Sequence, residues 1–210
     1  MNVREIQDQC SRLASLQTRG DLGSVIADIL GGYSPQDIRR MQLNLSRKVE
    51  SIDPGYRRRL VATIRDHLQE TYRTSRAMDL RGEFSSMPDR LPEDAAQFFE
   101  MAAAQCSKDD GGDRLRFLKF LLAGFCIFVQ RIPPHPVGMP FPGGDTVHFV
   151  DGEYYCPVRT KANDIDSALC PFCPALQTPE SGYLRPPREG SERRKQEYLQ
   201  KTFDYHHYNG

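Results

Sequence analysis

Apolar residues recur at helical spacing through most of the first 130 residues of the chain. Tyr56, Leu60, Ile64 and Leu68 follow one another every four residues, so they form one stripe along a helix. Patterns of this kind predict an α-helical bundle. Its six predicted helices span residues 2–17, 22–31, 35–51, 54–74, 92–106 and 113–130.

The positions of the prolines support this interpretation. Four of the 15 prolines precede residue 130 and 11 follow it, and a helix tolerates proline only in its first turn. Two early prolines suit that position, because Ser34-Pro35 and Asp53-Pro54 each join an N-cap residue to a proline at the first helical position. The first 130 residues can therefore be helical, whereas the rest mostly cannot.

The sixth predicted helix differs from the others because it is apolar on nearly every side. Asp113 is predicted to cap it after the Gly111-Gly112 break. A helix without a polar face should lie at the centre of the bundle. Its apolar run, at residues 117–129, has about 13 residues, and a bilayer span needs ~20, so no membrane segment is predicted.

Beyond residue 130 the pattern changes to short β-rich runs. Residues 146–150 and 153–156 flank Asp151-Gly152, and Asp-Gly between such runs is a strong hairpin signal. Pro142-Gly143, just before the hairpin, predicts a type II turn. The register of a two-residue hairpin would pair Val150 with Glu153, Phe149 with Tyr154, His148 with Tyr155, and Val147 with Cys156.

These patterns predict a mainly α fold, in which a helical bundle carries a small C-terminal β-hairpin and metal-knuckle subdomain. The predicted domains are the bundle at residues 1–130 and the proline-rich hairpin and metal-site subdomain at 131–177. A charged tail at 178–210 would form a short helix or be disordered.

The net charge of the chain and its distribution limit the classes of function that the sequence suits. The chain has 28 Lys and Arg residues and 28 Asp and Glu residues, so its formal net charge is zero, which argues against a bulk nucleic-acid binder. The charge is unevenly placed, at +4 over residues 1–78, −6 over 79–113 and +2 over 114–210, and such a polarised surface suits a protein partner. The run Arg57-Arg58-Arg59 is better explained as a solvated helix face than as a phosphate site.

The candidate chemistry lies in three of the six cysteines. Cys156, Cys170 and Cys173 are spaced C-x13-C-x2-C. The N-terminus is charged from Arg4 and has no apolar signal core, so a cytoplasmic protein with reduced thiols is expected. Clustered cysteines there more often bind metal than form disulfides, and zinc prefers four tetrahedral sulfur and nitrogen ligands.

The hairpin register guides the choice of a fourth ligand. His148 and Cys156 would point to opposite faces of the hairpin, whereas His135, on the preceding loop, is free of that restriction. The predicted metal ligands are therefore His135, Cys156, Cys170 and Cys173. A bulge would bring His148 back into consideration, and Cys126, otherwise a core residue, is the reserve ligand.

The other cysteines and histidines have simpler interpretations. Cys10 and Cys106 are predicted to be packed small residues, and His67 a partly buried packing residue. His206 and His207, in the tail, could bind metal adventitiously. A redox role for the Cys170/Cys173 pair is not favoured, since no βαβ pattern surrounds it.

The sequence leaves the role of the site open. Four protein ligands would make a closed, structural zinc site, and the protein would then act as an interaction or assembly factor. The alternative is an iron–sulfur or metal-dependent enzyme, which requires a cluster or an open coordination position. No phosphate loop or dinucleotide fingerprint is present in the sequence.

Three stretches carry a resemblance to a known family: H-P-V-G-M-P-F-P-G-G from His135, Y-Y-C-P-V around Cys156, and A-L-C-P-F-C-P-A around Cys170 and Cys173. Over residues 135–177 the chain resembles the archaeal domain-of-unknown-function family 2115, found chiefly in methanogens. The resemblance implies that the four predicted ligands occupy signature positions. It also implies an anaerobic archaeal cytoplasm and a role near methanogen metabolism, without an activity.

Overall fold

The computed structural model describes residues 1–107, 112–141, 144–160 and 169–179. The described part is mainly helical. Its α-helices are α1 (Val3–Ala14), α2 (Arg19–Gly31), α3 (Pro35–Lys48), α4 (Pro54–Leu80), α5 (Asp94–Gln105) and α6 (Asp113–Gly124). α6 continues directly into a π-helical turn, Phe125–Gln130, and single 3-10 turns occupy Glu83–Ser86 and Cys170–Phe172.

All six predicted helices are confirmed, and two of them begin as the prolines predict. The side chain of Ser34 accepts the amide hydrogen of Asp37, and that of Asp53 accepts the amide hydrogen of Tyr56. α4 runs six residues beyond its predicted end at residue 74. Polar Thr71 and Ser75 continue its buried face, and a hydrophobic pattern does not reveal a buried face made of hydroxyl side chains.

α6 lies at the centre of the bundle, as its uniformly apolar surface predicts. Phe117, Leu118, Phe120 and Leu121 are fully buried. No helix in the described ranges combines the length and apolar character needed to cross a membrane.

The predicted capping role of Asp113 is wrong. Gly112 occupies the N-cap position and no side chain caps the helix there. Asp113 is instead the first helical residue, and its carboxylate accepts a hydrogen bond from the Arg116 guanidinium at 2.6 Å. The carboxylate therefore binds the guanidinium one turn along the helix and does not cap the backbone amides at the helix start.

Two hydrophobic clusters stabilise the chain, and α4 contributes to both. The first, called the bundle core below, is built from α1, α2, α5, α6 and the π-helical turn and includes Phe98, Phe99 and Phe117. The second, called the C-terminal core, consists of Val49, Tyr56, Leu60, Met139, Phe141, Val147, Cys156, Val158 and Ala175.

Three of the four predicted pairs of the C-terminal hairpin are present, and the pair of Val147 with Cys156 is not among them. β1 (His148–Val150) pairs antiparallel with β2 (Glu153–Cys156), and the pairs are His148 with Tyr155, Phe149 with Tyr154, and Val150 with Glu153. A third strand, β3 (Leu176–Gln177), pairs parallel with β2 and was not predicted. The predicted Pro142-Gly143 turn and residues 180–210 lie outside the described residues.

Candidate metal centre

The end of β2 and the 3-10 turn bring three thiols into one region. Cys156 closes β2, while Cys170 begins the turn and Cys173 follows it. The side chains of Cys156 and Cys170 are buried. Electrostatic interactions link Cys170 to both other cysteines and Cys173 to Cys156. The C-x13-C-x2-C spacing therefore places the three cysteines at the end of β2 and on the short loop before β3.

Backbone amides point at two of the three sulfur atoms. The amide of Ala175 donates to Cys173 Sγ at 3.5 Å, and the backbone amides of Val158 and Arg159 act to lower the pKa of Cys156. A proline follows each of the three cysteines and has no amide hydrogen to donate. The nearest available donors are therefore those two or three residues along, in turns that fold back over the sulfur.

Arg159 connects the two cysteine-bearing segments. Its Nε donates to the carbonyl oxygens of Ala175 at 3.1 Å and Cys173 at 3.3 Å, and Nη2 donates to that of Pro171 at 3.4 Å. Arg159 lies three residues after Cys156, so it ties the end of β2 to the Cys170–Cys173 loop. Its positive charge also favours the thiolate forms of the nearby cysteines.

Burial raises the pKa values of these thiols, and its effect is larger than the lowering by Arg159. Desolvation raises the pKa of Cys170 to about 12 and that of Cys173 to about 11, and it also raises the pKa of Cys156. Reactive dithiols have lowered pKa values, because the thiolate is the nucleophile. The raised pKa values therefore argue against a redox role for Cys170 and Cys173.

His135 lies beside the C-terminal core. Its ring packs edge to face on Phe141, with 6.1 Å between the ring centroids, and Phe141 belongs to the same core as Cys156. His148 pairs with Tyr155, the residue next to Cys156, and its Nε2 lies 3.2 Å from Thr146 Oγ1. The strand alternation that disfavours His148 as a partner of Cys156 is thus present in the structure.

Cys126 and His67 form a contact that the sequence does not indicate. Cys126 lies in the π-helical turn and is 1% exposed. Its sulfur lies 3.7 Å from His67 Nε2 and 3.6 Å from Thr71 Oγ1. The prediction of Cys126 as a core residue is confirmed. Residues 67 and 126 belong to different helices, and no local motif links them.

The other cysteines agree with their predicted packing roles. Cys10 and Cys106 are buried in the bundle core, and burial raises the pKa of Cys10 to about 12. All six cysteines are free thiols. His206 and His207 lie outside the described residues.

The thiol group is not a finished coordination shell. Over the described residues, no three His, Cys, Asp or Glu side chains are already placed to hold a metal ion. The predicted ligand set therefore stays a prediction, and metal binding requires the sulfur atoms to close onto the ion from their present positions.

Comparison with known proteins places these features in a family. The sequence model of an archaeal family, described as "Uncharacterized protein conserved in archaea (DUF2115)", matches residues 18–178. A UPF0305 protein of Methanothermobacter thermautotrophicus is 31% identical over 159 residues, which cover 73% of this chain and 90% of that protein.

Other relatives show the same relationship. A UPF0305 protein of Methanopyrus kandleri is 35% identical over 98 residues, 44% of this chain and 69% of that protein. Another, from Methanocaldococcus jannaschii, is 23% identical over 146 residues, 69% of this chain and 87% of that protein. No solved structure matches the chain. The family match covers α2 to α6 and the cysteine-bearing segment together, and the chain therefore belongs to the archaeal family DUF2115.

Proposed function

We propose that this protein binds one zinc ion through Cys156, Cys170 and Cys173 and acts as an interaction or assembly factor in the cytoplasm of a methanogen. His135 is the fourth ligand that the sequence predicts. The observation that carries the proposal is the set of backbone amides directed at the cysteine sulfurs.

These amides suit thiolates better than thiols. A thiolate carries a full negative charge and accepts several hydrogen bonds, whereas a neutral thiol is a weak acceptor. The backbone amides of Val158 and Arg159 act to lower the pKa of Cys156, whose side chain is buried. A metal ion would supply the positive charge that makes buried thiolates stable, and the amides would then hold the ligands in place.

The donor set selects the class of ion. Three thiolates favour zinc or an iron centre over magnesium or calcium, which prefer oxygen ligands. The C-terminal core is small, and a metal ion would add to the stability of a segment with few buried apolar side chains. Relatives from methanogens support a reducing environment in which free thiols persist.

The role as an interaction or assembly factor follows from a closed site. Four protein ligands leave no coordination position for water or substrate, so the ion would stabilise a surface. Val137, Phe149 and Leu176 lie in the same C-terminal region and are each about half exposed. Exposed apolar side chains beside a rigid site support a contact with a protein partner.

An iron–sulfur centre is the second candidate, because the same amide hydrogen bonds also stabilise and tune cluster-bearing thiolates. Anaerobic purification separates the two. A colourless protein with zinc supports the first proposal, whereas brown protein with visible absorbance and acid-labile sulfide supports the second.

Cobalt substitution tests whether the site is closed. Co²⁺ replaces the zinc, and its visible spectrum reports the number and type of ligands. We expect added azide to leave that spectrum unchanged, because a closed site has no exchangeable ligand. A spectrum that shifts with azide would identify an open position and favour a metal-dependent enzyme.

A further inference from the structure

Positive charge is concentrated on the hairpin that α3 and α4 form. Residues 38–65, which span most of α3, the connection and the first turns of α4, contain eight Lys and Arg residues and two Asp and Glu residues. The net charge of this segment is therefore +6, although that of the whole chain is zero. A polyanion responds to the local field of the surface that it meets, so the zero total does not exclude binding at this hairpin.

α3 and α4 pack against each other, so the charges of two helices lie side by side. Gln42 Nε2 of α3 donates to the Arg65 carbonyl oxygen of α4 at 3.3 Å. Arg57 Nη1 donates to the Glu50 carbonyl oxygen at 2.6 Å and so holds the connection between the helices. The hairpin is therefore fixed by its own contacts, and Arg57 belongs to them.

Five exposed arginines of this hairpin, called the basic surface below, are Arg39, Arg40, Arg47, Arg58 and Arg59. Arg40 and Arg47 are seven residues apart, which is about 10.5 Å along α3. Packed helices lie about 8–10 Å apart, so the arginines of α4 are within reach of the same extended ligand. The basic surface is about two helical turns long and two helices wide.

The arginines of the basic surface have no acidic partner within the part of the chain that the structure describes. Four other arginines do have carboxylate partners: Arg19 with Asp89, Arg76 with Asp79, Arg114 with Asp37 and Arg116 with Asp113. The positive charge of the basic surface is thus not neutralised by these described contacts and is available to an external anion.

A second copy of this chain is a poor source of that anion. Residues 79–113 carry the acidic excess of the sequence, but several of their carboxylates are already in ion pairs. These are Asp79, Glu83, Asp89 and Asp113. Charge complementarity therefore favours a different molecule with a high density of negative charge.

We propose that the basic surface binds the phosphate backbone of double-stranded nucleic acid without reading its bases. All five members are arginines, whose planar guanidinium groups bind phosphate oxygens through two parallel hydrogen bonds. Duplexes present phosphates at high and regular density, and neutralising them releases counterions, which drives binding without sequence contacts. This inference does not depend on the zinc ion, because it uses only α3 and α4.

The other polyanions in a cell fit this surface less well. A helix that binds a membrane surface needs a broad apolar face beside its basic residues, and Leu43, 59% exposed, is the one large apolar side chain exposed on the described part of α3. Single strands stack on exposed aromatic rings. α3 has no aromatic residue, and the hydroxyls of Tyr56 and Tyr72 of α4 bond to backbone carbonyls inside the protein.

Fluorescence anisotropy of the full chain with labelled 20-base-pair DNA and RNA duplexes tests the proposal. Five phosphate contacts predict that the logarithm of the affinity falls with the logarithm of salt concentration with a slope of about −4.5. A fourfold rise in salt should thus weaken binding by about 500-fold. Absence of binding to both duplexes at low salt, or a slope shallower than about −1, would overturn the proposal.

Substitutions locate the surface. Arg47→Gln and Arg58→Gln should each make the salt slope shallower by about 1, because each removes one phosphate contact. The matched control is Arg4→Gln, at an exposed arginine of α1, which should leave the slope unchanged. If Arg4→Gln has the same effect as the other two, binding is not located on α3 and α4. Circular dichroism checks that each variant is folded.

Competition identifies the class of partner. Unlabelled duplex should displace the labelled duplex at a lower concentration of charges than polyglutamate, single-stranded DNA or vesicles of phosphatidylglycerol. Equal or stronger displacement by polyglutamate would identify an acidic protein as the partner and would contradict the proposal. The same result with single strands or vesicles would contradict the choice of a duplex.

Discussion

The bundle core and the C-terminal core are stabilised in different ways. The bundle core surrounds α6 on all sides and contains five phenylalanines that are fully buried, Phe98, Phe99, Phe117, Phe120 and Phe125. The C-terminal core has nine buried residues, three of which (Val49, Tyr56 and Leu60) come from the helical region. The bundle can therefore be stable through its own packing, whereas the C-terminal region depends on apolar contacts with side chains of the helical region.

In the C-terminal region, polar side chains connect backbone segments that share few apolar contacts. In the C-terminal region Arg159 bonds to three backbone carbonyls, and Gln177 Nε2 donates to the Pro157 carbonyl at 3.1 Å. The proposed zinc ion would add bonds of the same connecting kind. A region with little apolar core needs such connections to keep one conformation.

The largest expected effect comes from Phe98→Ala, because Phe98 belongs to the bundle core and also contacts Phe172. Removing a fully buried phenylalanine should lower the free energy of unfolding by about 3–5 kcal/mol. Chemical denaturation measures this change. Leu80→Ala, at a side chain that is 83% exposed, is the control and should stay within about 0.5 kcal/mol.

Phe172→Ala should affect the C-terminal region more selectively than Phe98→Ala does. Phe172 is half-buried and packs against the bundle core from the cysteine loop, so its loss should cost about 1–3 kcal/mol. Hydrogen exchange should accelerate in β2 and around Cys170, while α1 and α6 keep their protection. Equal acceleration in both regions would show that they unfold as one unit.

Tyr56→Phe tests a single hydrogen bond between α4 and the loop before the hairpin. The Tyr56 hydroxyl donates to the Pro140 carbonyl at 3.0 Å in a buried position, and its loss should cost about 1 kcal/mol. The matched control is Tyr72→Phe, which removes a 2.9 Å bond to the Tyr33 carbonyl within the helical region. We expect only Tyr56→Phe to accelerate exchange in the C-terminal region.

Asp37→Asn should have the smallest effect on the free energy of unfolding, and that effect should be confined to the bundle. Hydrogen bonds from Ser34, with support from Arg114, hold the pKa of Asp37 below its ordinary value despite partial burial. A carboxylate with a lowered folded-state pKa stabilises the protein above its unfolded pKa, about 3.9. At pH 7 the substitution should cost about 0.5–1 kcal/mol.

The sign of that effect gives a further check by denaturation at several pH values. The difference between wild type and Asp37→Asn should begin to shrink as the pH falls below about 4, and it should vanish once Asp37 is protonated in the folded chain. A difference that grows on acidification would contradict this explanation of the capping box.

Much of the fold could be predicted because local signals and tertiary structure agree. Proline after Ser34 and Asp53 gave two helix starts, and Asp151-Gly152 gave the hairpin register. Prediction failed where a long-range contact decided the outcome. α4 extends because Thr71 and Ser75 are buried against other helices, and β3 forms only because Leu176 and Gln177 return to β2.

The candidate site, too, could be predicted only where local sequence signals determine it. The spacing of Cys156, Cys170 and Cys173 was sufficient to place them at a hairpin end and on a short loop, and their role as metal ligands stays a prediction. The contact between His67 and Cys126 could not be predicted, because it depends on how α4 packs against the π-helical turn. Arg159 was also missed, because its role consists of bonds to backbone carbonyls that leave no sequence pattern.

The most direct test of the account is the metal content of anaerobically prepared protein. Elemental analysis of the wild type should give about one zinc per chain, and Cys170→Ser and Cys173→Ser should each lose most of it. Cys10→Ser, a buried cysteine of the bundle core, should retain the wild-type content. Metal-free wild-type protein, or zinc that survives in both Cys170→Ser and Cys173→Ser, would contradict the proposed metal centre.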